Sequence, residues 1–209
     1  MAFPAISFWQ ARRGVKGYIY ISRVFKTIKR AKCGGGEDWL DNDPHFWEYP
    51  PTWGICRTDY RRRVKEGDYV FFVLPKASKL PQMIYGYFQV REIITHEQAF
   101  GRPELRSKQM GNKNPNGNII VDANGRYNRF DGDVHRDRFG EIKNYYVIGD
   151  SKESEFLSEW RIKKLAPDFV DVLNDIFDTN EDSVFRVLTR KGRKMSEDQV
   201  RRLLAWMRN

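Results

Sequence analysis

Two uninterrupted runs of β-forming apolar residues, Tyr69-Val70-Phe71-Phe72-Val73 and Met83-Ile84-Tyr85-Gly86-Tyr87-Phe88-Gln89-Val90, constrain this chain more than any other feature. Runs with so little polar alternation belong inside a sheet covered on both faces. Glu66-Gly67-Asp68 precedes the first run as a turn signal, with Asp68 expected to accept backbone hydrogen bonds, and the polar stretch 76–79 separates the two. Pairing the runs sets Arg57, Arg61, Arg62 and Arg63, just ahead of the turn, at the mouth of a hairpin flanked by aromatic rings. Guanidinium groups beside flat rings suit a phosphate held by charge and a base held by stacking. A solvated basic turn beside an ordinary sheet reads the same way.

Elsewhere the pattern is mixed. Residues 15–24 read as a first strand buried on both faces, 145–150 as a last one, and 119–121 with 126–130 as a short hairpin around Asn124-Gly125. Thr95 with Gln98 forms a capping-box start for a short helical turn. Beyond Ser151 the texture turns helical. Phe169, Val170, Leu173, Ile176 and Phe177 repeat at helical spacing, and Ser196 with Gln199 caps a second helix whose stripe is Val200, Leu203, Leu204 and Met207. The stripes are expected to pack on the β-unit. The organisation is therefore α+β, with a β-rich domain over 1–150, bent into a mixed sheet or small barrel, and a helical C-terminal extension over 151–209.

Between Cys33 and Trp53 the chain is rich in Gly, Pro and Asp, yet it carries Trp39, Phe46, Trp47, Tyr49 and Trp53. Exposing so many large rings is costly, so this loop either packs on the core as a lid or frames a ligand. Trp53, beside Gly54 and after Pro51-Thr52, is expected to stack on a ligand rather than fill the core.

Thirty-seven basic against 28 acidic side chains leave a net charge of +9, which points to a polyanionic partner, a nucleic acid or nucleotide. No apolar run approaches the roughly 18 residues of a membrane span, so no membrane partner is expected. The first residues lack the basic start and apolar middle of a secretory signal, which points to a cytoplasmic protein with Cys33 and Cys56 as free thiols.

Catalytic motifs are sparse. His45, His96 and His135 are isolated, phosphate-loop and dinucleotide fingerprints are missing, and neither a metal nor a cofactor is expected. Arg57 follows Cys56 directly, a setting that lowers a thiol pKa and makes Cys56 a candidate nucleophile. Asp131-Gly132-Asp133-Val134-His135 offers Asp133 and His135 for acid-base work, although a neutralised surface loop would look alike.

In order and spacing these motifs resemble the nucleotide modification associated domain 2 family of bacteria and phages. Tyr18-Ile19-Tyr20 is similar to the family's opening strand, and Thr52 to Arg62 to its cysteine segment, with Cys56 at the second cysteine and Arg61-Arg62 at the paired arginines. Gly67-Asp68-Tyr69-Val70, the 84–90 strand and Gly117-Asn118-Ile119-Ile120 follow in register, over roughly 17–150. Pro51 replaces the first cysteine, Trp53 a leucine, and the family's later histidine pair has no counterpart beyond Asp133 and His135. More distantly the arrangement resembles PUA, ASCH, EVE and YTH domains, small barrels that read RNA or modified bases. The resemblance implies binding of a nucleotide or modified base, in nucleotide modification or phage defence. Arg57, Arg61 and Arg62 would then hold phosphate, and Trp53, Trp47 and Tyr85 would stack. An enzyme using Cys56, Asp133 and His135 in the same pocket, and an interaction component of a defence system, are the alternatives.

Overall fold

The computed structural model describes residues 14, 16–22, 43–76, 78, 80–111, 114 and 117–208. Cys33 and Trp39 lie outside them. Six strands form one mixed sheet: β1 (Gly17–Ile21), β2 (Thr52–Trp53), β3 (Tyr69–Val73), β4 (Ile84–Ile94), β5 (Tyr146–Phe156) and β6 (Arg193–Met195). Their order is β2-β5-β4-β3-β1-β6, with β1 and β3 parallel and every other neighbouring pair antiparallel. The sheet stays open, with β2 and β6 at its edges, rather than closing into the small barrel considered above.

The apolar runs become the centre of this sheet. Every residue of β3 is buried, and Ile84 to Phe88 of β4 are buried beside it. The turn before β3 forms as its residues require. Gly67 has φ +85°, a conformation cheap only for glycine, and the Asp68 carboxylate accepts from the amides of Lys16 (3.1 Å) and Lys65 (3.0 Å). One carboxylate thus ties the turn to the start of β1.

Helices α1 (Thr58–Arg61), α2 (His96–Phe100) and α3 (Phe139–Ile142) are short, whereas α4 (Glu159–Leu165), α5 (Phe169–Phe177), α6 (Val184–Leu188) and α7 (Glu197–Arg208) cover one face of the sheet. α2 has the complete capping box of Thr95 and Gln98, and α7 opens with the reciprocal pair Ser196–Gln199. Val200, Leu203, Leu204 and Met207 of α7 are buried in the main core with Leu173 and Ile176 of α5. Each such side chain contributes roughly 1.5–3 kcal/mol. A second core, Ile94, Ala99, Leu105, Ile119, Val121, Tyr146 and Ile148, sits beneath the 95–128 segment. In that segment the hairpin expected around Asn124-Gly125 forms in reduced form, as one antiparallel bridge from Val121 to Tyr127 with the Asp122 amide donating to the Arg126 carbonyl (2.9 Å).

Residues 151–208 are bound into the sheet. β5 runs straight through residue 150, and β6 adds an edge strand from what reads as helical sequence. No helix among the described residues is long and apolar enough to cross a membrane.

Candidate functional site

The segment from Trp53 to Arg61 folds around two buried charges of opposite sign. The Asp43 carboxylate, fully buried, accepts from the backbone amides of Gly54 (2.6 Å), Ile55 (2.9 Å) and Cys56. Burial pushes its pKa up, against the pull of Arg61 and the three amides. Arg61, also fully buried, donates to the carbonyls of Cys56 (3.0 Å), Ile55 (2.8 Å), Ile142 and Tyr145 and to the Thr58 hydroxyl (3.1 Å). Burial brings its pKa down to about 10, so it remains a cation at neutral pH. Its donors are spent on the protein. This guanidinium pins α1 to the turn before β5 and cannot meet a ligand phosphate, which corrects the role expected for it.

Trp53 is corrected in the same way. It pairs on β2 with Val147 of β5, is 0% exposed, and stacks on Tyr20 at 5.5 Å with its edge toward Phe72. The indole fills the core. Tyr85 is buried as well, packed edge-on against Phe46, while Trp47 is half-buried and leans on His45 at 4.4 Å. Arg62, one helical step past Arg61, points outward and is exposed.

Around Trp53 the rings continue as a stack toward the surface. Tyr20, at the end of β1, stacks on Trp53 and, at 5.7 Å, on Tyr60 of α1. Arg57 caps the column, 4.2 Å from the Tyr60 ring centre and 5.0 Å from that of Tyr20. Arg57 holds a left-handed conformation, φ 54°, ψ 50°, uncommon for a non-glycine residue. Its Nε and Nη2 grip Asp59 (3.0 and 2.9 Å), and Nη2 also reaches the Lys191 carbonyl (3.0 Å), which accepts from Tyr60 Oη too. Gly192 lets this turn press so close. Its φ is +72°, and a Cβ there would lie 2.5 Å from the Ile19 carbonyl and 2.6 Å from Tyr20 Cβ. Arg190 and Lys191 precede Gly192 in this turn and Arg193 and Lys194 follow it, with the Arg193 guanidinium 4.9 Å from the Phe177 ring centre.

Two polar atoms inside the column lack partners. Tyr20 Oη and Trp53 Nε1 are buried without a hydrogen bond among the described residues. Burial first, then the neighbouring Tyr85, Asp43 and Cys56, raise the Tyr20 phenol pKa well above its ordinary value. An orphaned buried donor costs roughly 1–3 kcal/mol, so two in one cluster mark a place where the described residues leave hydrogen bonds unmade.

The proposed acid-base pair does not form as expected. His135 Nδ1 lies 2.9 Å from Asp131, not Asp133, and Asp133 is exposed and paired with Arg136. Cys56 is half-buried beside Asp43 and Arg61. Among the described residues no three His, Cys, Asp or Glu side chains gather as a metal site would need.

Two buried polar centres were not anticipated. His96 donates from Nε2 to the Gly54 carbonyl (2.8 Å) and accepts at Nδ1 from the Ile120 amide (3.2 Å), which fixes it as neutral; burial and then Arg61 lower its pKa to about 3. Lys108, 0% exposed, donates to His45 Nδ1 (2.6 Å) and to the Glu48 carbonyl, and burial lowers its pKa to about 7. Nothing in the local sequence signals either, since each depends on partners more than 20 residues away. Compared with known proteins, the chain matches no family model and no curated protein.

Proposed function

We propose that this chain binds a nucleotide, or a modified base within a nucleic acid, at the Tyr20–Trp53–Tyr60 column beneath Arg57. The supporting observation is the pair of buried polar atoms without a partner among the described residues, Tyr20 Oη and Trp53 Nε1, within an aromatic stack capped by a guanidinium. A flat heterocycle supplies what that place lacks among the described residues: acceptors for an indole N–H and a phenol. Outside the column, exposed Arg62 and the basic residues of 190–194 supply positive charge for phosphate, in keeping with the net charge of +9. The reading extends to cytoplasmic action in nucleotide modification or phage defence, and to kinship with PUA-like domains through an opened sheet. Trp53 enters as a donor at the floor of the site, not as an exposed platform.

Tyr20→Phe tests it, because the substitution removes only the orphaned hydroxyl. Titration with common and methylated nucleosides and nucleoside monophosphates, followed by tryptophan fluorescence, is expected to give saturable binding to at least one. Tyr20→Phe should weaken that binding about tenfold while leaving the melting temperature equal or higher. Failure of every probe to bind the unaltered protein, at low salt, would sink the reading.

A further inference from the structure

Away from the column, two surface grooves of about 240 and 520 Å³ share Phe100 and Gln109 and so form one channel. Arg106 lies at one end, and Arg129 with Phe130 at the other. Phe130 is 42% exposed, a large ring left in water, and the Arg129 guanidinium lies 5.5 Å from its centre. Both arginines are exposed, and neither pairs with a carboxylate among the described residues.

Most acids beside the channel accept hydrogen bonds or pair with arginine. Asp122 Oδ1 accepts from the amides of Asn124 and Arg126, both at 2.9 Å. Asp131 takes the Tyr127 hydroxyl and His135, and Glu92 and Glu104 both pair with Arg102. Among the lining residues three arginines, Arg102, Arg106 and Arg129, face a single carboxylate, Asp122, with an aromatic face at hand. Sequence-tolerant recognition of single strands uses that combination: cations that track phosphates, and rings on which bases stack.

We propose that this channel binds a single-stranded nucleic-acid segment through its backbone, with Arg106 and Arg129 on phosphates and Phe130 stacking on a base. The proposal rests on the reading above only in taking the partner to be a nucleic acid rather than a free nucleotide. A duplex fits less well, because its paired bases cannot open onto Phe130.

Fluorescence anisotropy with labelled single strands of about 12 nucleotides, DNA and RNA, measured over a series of salt concentrations, provides the test. The unaltered protein should bind them, and an Arg106→Glu/Arg129→Glu variant should lose roughly tenfold or more in affinity. Its salt slope should fall by about 1.4, the value for two lost contacts to a single strand. Phe130→Ala should weaken binding with the slope retained. All these side chains are exposed, so melting temperatures should not move. Oligonucleotide binding that is absent, or insensitive to these substitutions, overturns the channel. If mononucleotide binding persists meanwhile, the column stands without it. Channel-dependent oligonucleotide binding with no mononucleotide binding supports the channel and removes the column.

Discussion

Lys108 offers a sharp test of the interior electrostatics, because its surroundings set both the sign and the size of a pH effect. The ammonium is buried against His45 Nδ1 and the Glu48 carbonyl, and desolvation brings its pKa from the usual lysine range to about 7. The unfolded chain keeps that proton up to about pH 10.4. Between the two values the unfolded state binds more protons, so stability rises with pH; below about 7 both states are protonated and the burial penalty is fully present. Integrating from pH 7 to 9 gives a gain of about 2 kcal/mol from this one side chain. His45, held neutral with its pKa lowered to about 2, adds no slope in that window. Urea denaturation of the unaltered protein and of Lys108→Met at pH 7, 8 and 9 isolates the effect, since all other titrations cancel in the difference. The unaltered protein should gain about 2 kcal/mol relative to the variant over that range. Parallel profiles, within about 0.5 kcal/mol, would mean that the two acceptors hold Lys108 charged and that the desolvation reasoning is wrong.

Other substitutions separate interior from surface. Trp53→Ala should cost roughly 3–5 kcal/mol in denaturant unfolding, the price of a large ring removed from the core; a change under about 1 kcal/mol would contradict its burial. Arg61→Met should cost roughly 3–5 kcal/mol, since it strands Asp43 and several carbonyls, whereas Arg62→Ala should stay within about 0.5 kcal/mol; equal effects would refute the distinction. Gly192→Ala is expected to destabilise by roughly 1–3 kcal/mol and to weaken nucleotide binding, because its Cβ has no room against Ile19 and Tyr20; an unperturbed melting curve would show that the turn can yield.

Elements whose own residues settle their burial were legible in the sequence. β3, the core of β4, the Gly67-Asp68 turn, the capped starts of α2 and α7, and the α7 stripe needed no knowledge of their neighbours. β5 was seen only over its apolar half. Its continuation through Lys152, Glu153, Ser154 and Glu155 falls where the texture reads as helical, but it is partly exposed strand paired with β4. α4 and α6 are too short for their stripes to stand out. At the site, arginine-rich sequence correctly marked a special segment but not the direction of each side chain. Arg61 points inward because carbonyls at 142 and 145, some 80 residues on, converge there. Trp53 is interior because a strand of two residues docks on β5. Tyr20, which completes the column, looked like one more residue of a buried strand.

The position of β1 has a consequence for how the protein comes into being. One side of Gly17–Ile21 is matched by β3, but the other waits for residues 193–195, nearly the whole chain later. Emerging from the ribosome, β1 would present an unpaired apolar edge, the kind of surface on which nascent chains pair wrongly with one another. Arrival of β6 covers it, and the turn that leads into β6 delivers the Lys191 carbonyl to Tyr60 and Arg57. Protection from misassembly and completion of the aromatic column are then a single late event, so a chain stopped short of that turn would be exposed at β1 and lack a finished column at the same time.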